Sequence, residues 1–108
     1  MKGAVNAMAA LALLAGGAVA HAQDAAAGKA KAAACTVCHG PKGIAVAPDT
    51  PNLAGQPESY LAEQLKAYRG GARKHEVMSL MAKPLTDADI ANLAAWFASV
   101  KVEATPPK

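Results

Sequence analysis

The sequence predicts an all-α domain, and three observations carry that prediction. No stretch of its 108 residues alternates apolar and polar at period two, as a half-buried strand would. Apolar residues recur instead at helical spacing in two segments, Leu61, Leu65 and Tyr68, then Ile90, Leu93, Ala94 and Phe97. Proline and glycine punctuate the chain between those segments. The length allows one domain.

Composition says what such a domain lacks. Hydrophobic content is 53 %, but 29 residues are alanine and only four are aromatic, so few large side chains can fill a core. A net charge of +3 is mild, and no basic cluster carries interleaved aromatics, which excludes nucleic acid as a partner. Two cysteines exclude a disulfide-dense miniprotein. Something besides side chains is expected to fill the interior.

The first segment reads as a leader. From Gly3 to Gln23 there is no Lys, Arg, Asp or Glu; Lys2 precedes an apolar centre, and Ala20-His21-Ala22 is a small-x-small ending. That layout predicts a secretory signal peptide over residues 1–22, cleaved after Ala22, with the domain occupying 23–108. Its glycines and alanines make it a weak membrane span, so no span is expected in the mature chain. Export points to the periplasm.

The domain then opens with Asp24, which suits a helix cap, ahead of the alanine-rich run AAAGKAKAAACTVC. Residues 40–56, with three prolines and three glycines, form a long loop. Pro57 is expected as the first helical residue of PESYLAEQLKAYR, and Gly70-Gly71 ends that helix. The segment ARKHEVMSLMAKPL reads as a second loop. Thr86, with Asp89 three residues on, forms a capping box that opens the last helix.

Cys35-Thr36-Val37-Cys38-His39 is C-x-x-C-H, the c-type haem attachment signature. Two thiols at this spacing reach the vinyl groups on one edge of a porphyrin, and the adjacent imidazole meets the iron. Covalently attached haem also supplies the apolar bulk that the composition lacks. Competing readings are weaker. A disulfide across two residues would be strained in a helix, a thioredoxin-like pair wants a β-α-β context, and zinc wants four ligands.

The chain resembles a class I cytochrome c, closest to the bacterial cytochrome c4/c5/c553-type monohaem domains. The resemblance rests on CTVCHGPKG, PNLAGQPESYLAEQLKAYRGGAR and MSLMAKPLTDADIANLAAWFAS, which cover nearly all of the mature chain. It implies three main helices and long loops wrapped around one haem c, with terminal helices crossing near Gly28 and the Leu93/Trp96 region. It also implies His39 and a methionine as axial ligands. Met78 and Met81 are the candidates left once the leader is removed. The family's M-x-x-M-A-x-x-L pattern selects Met78, with Met81 as the alternative and His75 or an open site behind both. By the same resemblance the Pro48 carbonyl supports the His39 ring, and Arg73 or Tyr68 is available to the haem propionates.

The function this implies is a soluble periplasmic one-electron carrier, and not an enzyme, because a six-coordinate iron has no vacant position. Its donor would be a quinol-oxidising complex or a dehydrogenase, its acceptor a terminal oxidase or reductase. A cytochrome subunit of a periplasmic complex, such as a sulfur-compound dehydrogenase, is the alternative; a five-coordinate gas sensor is the third. Between Lys66 and Lys83 stand Lys66, Arg69, Arg73, Lys74 and Lys83 against Glu76 alone, a patch suited to an acidic partner.

Overall fold

The structure, a computed structural model, describes residues 1–3, 16 and 23–108. Apart from Met1 to Gly3 and Gly16, the expected leader therefore lies outside the described residues. The described residues are helical, with no strand among them.

Asp24 caps α1 (Ala25–Lys31) as expected: its carboxylate accepts the N–H groups of Ala26 and Ala27 at 2.9 and 3.1 Å. Lys29 and Lys31 in the last turn complement the helix dipole. The alanine-rich run does not continue as one regular helix. It tightens into a 3₁₀ stretch, Ala32–Cys35, and resumes as α2 (Thr36–His39). The Thr36 hydroxyl donates back to the Ala33 carbonyl at 2.9 Å inside that irregular piece, a local bond that competes with the helical ladder.

The next helix, α3 (Glu58–Gly70), starts one residue later than expected. Pro57 takes the cap position with extended ψ of 133°, and Gly71 closes the helix in the left-handed region at φ 85°. A fourth helix, α4 (Glu76–Ala82), occupies a segment that the sequence suggested was loop. Its residues are good helix formers, but seven are too few to show a period, and its cap is a histidine rather than Ser, Thr, Asp or Asn. Last comes α5 (Asp87–Ser99), opened by the expected capping box, in which Thr86 and Asp89 bond reciprocally at 3.0 Å.

Packing centres on α5, whose Ile90, Leu93, Ala94 and Phe97 are all buried. The first helix packs on it at Gly28, where any Cβ would meet the Asn92 carbonyl and come within 2.9 Å of the Trp96 Cβ. Around this approach the Asn92 side chain accepts the Asp24 N–H at 2.9 Å, and Lys31 pairs with Asp89 at 3.4 Å. Leu61 of α3 joins Ala32, Leu93, Ala94 and Phe97 in the central cluster, with Leu65 and Leu85 against its edge. Arg69 ties the α4–α5 connection to α3, donating to the Leu85 carbonyl at 3.0 Å and to Asp87 at 2.6 Å. Among the described residues, Ile90 and Leu93 are the only large side chains fully buried, a small core for a domain of this length.

The capping box makes a pH-dependent contribution. Hydrogen bonds from the Thr86 backbone and hydroxyl, with Lys31 nearby, hold the Asp89 carboxyl below the ordinary aspartate range. A depressed folded value means that this stabilisation is present above the unfolded value of ~3.9. It is lost as pH falls through the folded value. Asp89→Asn should therefore lower the melting temperature at neutral pH, and the gap from wild type should close in strong acid. A gap that stays constant with pH would remove the carboxylate from the account.

Candidate haem attachment site

The attachment residues lie where α1 runs out. Cys35 ends the 3₁₀ stretch, and Cys38 and His39 belong to α2, so the motif spans an irregular helical turn. Both thiols are half-buried and neither is bonded to the other. Burial pushes the Cys35 thiol up from its ordinary range. Cys35 and Cys38 would be the residues that hold a haem covalently through their sulfurs.

His39 is buried, and its Nδ1 lies 2.9 Å from the Pro51 carbonyl. That carbonyl can only accept, so Nδ1 carries the proton and Nε2 keeps its lone pair for a metal. The supporting carbonyl is thus that of Pro51 and not of Pro48, a correction to the sequence reading. Pro48 falls in a turn of its own, where its carbonyl accepts the Thr50 hydroxyl at 3.2 Å and Asp49 follows at a positive φ of 54°. The turn takes up the residues between the two prolines. Pro51 is presented by a loop pinned from several sides. Val46 and Ala47 donate to the Cys38 carbonyl, Leu53 and Ala54 donate to that of Gly43, and the Asn52 side chain accepts the Ala45 N–H at 2.7 Å. Gly43, at φ 80°, allows this: a Cβ there would lie 2.7 Å from the Ala54 nitrogen and 2.8 Å from the Phe97 ring.

Both candidate methionines ride on α4, with Met78 half-buried in its first turn and Met81 exposed. The same short helix leaves Val77 and Leu80 exposed, and Ile44 and Val46 are exposed on the proximal loop. Apolar surface on the two segments that carry the donors, beside so small a core, fits an apolar prosthetic group held by two thioethers and an imidazole. Among the described residues no three His, Cys, Asp or Glu side chains gather, so a zinc site finds no donor set.

Arg73 and Tyr68, offered by the sequence as propionate donors, are engaged with each other at the end of α3. The Arg73 guanidinium lies 4.7 Å over the Tyr68 ring and donates to the Gln64 side chain at 2.8 Å. An open cleft of about 740 Å³ runs between that end of α3 and α4, lined by Tyr68, Lys74, His75, Leu80 and Lys83 among others. None of the attachment residues lines it.

Known proteins resemble this chain in sequence and fold. The family model described as cytochrome c matches residues 25–101. Cytochrome c-554(548) of Halomonas halodenitrificans is 48 % identical over 79 residues, covering 70 % of this chain and 95 % of that protein. The thiosulfate dehydrogenase electron acceptor of Thiomonas intermedia is 46 % identical over 77 residues, and the match covers 70 % of this chain but 36 % of that protein. The crystal structure of reduced recombinant cytochrome c4 from Pseudomonas stutzeri superposes with a TM-score of 0.69 at 43 % identity. That match covers 74 % of this chain and 47 % of the other. The chain thus spans nearly all of one relative and less than half of the other two. It belongs to the cytochrome c family, as an all-α class I c-type cytochrome close to cytochrome c4, an electron carrier whose cofactor is covalently bound haem c.

Proposed function

We propose that this chain carries single electrons in the periplasm, exported by a leader cleaved after Ala22, with His39 and Met78 as the axial ligands of its haem iron. The observation that carries the reading is the His39–Pro51 bond at 2.9 Å, which orients the imidazole and leaves Nε2 to the metal. The haem supplies the Fe(II)/Fe(III) couple. The chain supplies rigidity: the imidazole is held by a pinned loop, so little need move when the charge changes. A Met78 thioether paired with His39 would favour the reduced iron and raise the potential. If His39 and Met78 both hold the iron, no position would remain for a substrate, and this reading gives the protein no reaction of its own. No helix of the described residues is long and apolar enough to cross a membrane.

Likeness to a thiosulfate dehydrogenase electron acceptor favours a sulfur-compound dehydrogenase as donor over a quinol-oxidising complex, with a terminal oxidase or reductase as acceptor. The same likeness supports the second reading, a cytochrome subunit held within such a dehydrogenase. Charge at the docking face is narrower than the sequence suggested. Arg69 is half-buried and paired with Asp87, so the steering charges are Lys66, Arg73, Lys74 and Lys83.

Stopped-flow reduction of the ferric holoprotein by each donor class tests the reading. The dehydrogenase with its sulfur substrate should reduce it within the dehydrogenase's own turnover time, and the rate should fall as ionic strength rises. Failure of both donors to reduce it would remove the carrier role. A rate indifferent to salt would remove the steering by lysines. A reduced spectrum that shifts under carbon monoxide would favour a gas-binding site instead.

A further inference from the structure

We infer that His75 is the positioning residue of the distal ligand: its imidazole fixes the backbone turn from which Met78 projects. The inference rests on the reading of Met78 as ligand. His75 lies outside the attachment motif and just before α4, with extended backbone at φ −155° and ψ 138°. Its Nδ1 accepts the N–H groups of Val77 and Met78 at 3.2 and 3.3 Å. In return, its own N–H donates to the Ser79 hydroxyl at 3.0 Å, and its carbonyl accepts the Ser79 N–H at 3.0 Å. Both backbone polar groups of His75 and one ring nitrogen are spent on the first turn of one short helix.

That helix has little else to hold its leading end. Seven residues are too few to be helical on their own. Ala82 is the one buried residue among them, and it lies at the far end. Glu76 and Val77 are exposed, and the chain that arrives from Gly70 to Lys74 is exposed throughout. Packing therefore anchors the C-terminal end of α4, and the histidine cap anchors the N-terminal end, where Met78 sits. A thioether is a weak iron ligand, so its hold depends on how well its backbone is set in place beforehand. The Met78 N–H is itself one of the two groups that the imidazole accepts, so a turn that loosens takes the ligand's backbone with it.

The test uses the ferric holoprotein and three variants. His75→Ala removes the acceptor, His75→Asn restores a short side-chain oxygen that caps helices well, and Met78→Leu removes the ligand. The readouts are the far-red sulfur-to-iron charge-transfer band and the rate at which added cyanide displaces the methionine. His75→Ala should weaken the band and speed displacement about fivefold, the factor expected from losing a typical cap. His75→Asn should return both close to wild type. A wild-type displacement rate in His75→Ala, or an asparagine variant as fast as the alanine one, overturns the role. A band that survives Met78→Leu overturns the ligand assignment instead, and the two failures are thereby distinct.

Discussion

Met78→Leu is expected to abolish the far-red charge-transfer band of the ferric protein, lower the reduction potential and let carbon monoxide bind the reduced iron. Each effect follows from one missing sulfur. Leucine nearly matches methionine in volume but offers no lone pair, so the iron loses a ligand while α4 keeps its packing. The loss of thioether ligation removes the preference for Fe(II), and the vacated position admits a diatomic gas. Met81→Leu is the matched control, since Met81 lies three residues on along the same helix and is more exposed. It should keep the band and cost about 1 kcal/mol or less of stability. A band that survives in the first variant and vanishes in the second reverses the assignment.

Gly28→Ala should leave little holoprotein. The added methyl group would be driven into the Asn92 carbonyl and against the Trp96 Cβ at 2.9 Å, and neither can swing aside as a flexible side-chain tip could. The two helices must then separate, and the Asp24–Asn92 bond and the Lys31–Asp89 pair stretch with them. Overpacking of this kind costs about 3 kcal/mol, a large share of the stability of a small domain. Gly70→Ala is the control, because nothing lies within 4 Å of a Cβ there and alanine favours helix. Wild-type melting temperature and haem content in Gly28→Ala would mean that the contact between α1 and α5 gives way more easily than its geometry implies.

What was legible in the sequence was whatever local chemistry decides. Asp24, Thr86 and Asp89 cap the helices they were expected to cap, and the stripe Ile90, Leu93, Ala94 and Phe97 is buried because α5 is long enough to show its period. The attachment motif is local too, and its three residues stand together on one turn. One failure came where the outcome depends on distant partners, the other where a helix is too short to show its period. The family resemblance pointed to Pro48, and nothing in the sequence showed that Pro48 and Asp49 would turn aside and leave Pro51 to face the imidazole. The segment around Met78 looked like loop because its helix is brief and its cap is a histidine, a residue seldom read as a start signal.

The pairing of the first helix with the last also governs when this molecule can exist. The Asp24 amide reaches Asn92 across 68 positions of sequence, and Gly28 has its neighbours on the same distant helix. A chain still being synthesised has nothing to close against until α5 has been made, and contacts of such range form late. The pairing of α1 with α5 therefore closes only once α5 is available, whatever has formed before it. Cys35 and Cys38, which follow α1 directly in the chain, stand beside a helix without its packing partner until α5 is there to meet it.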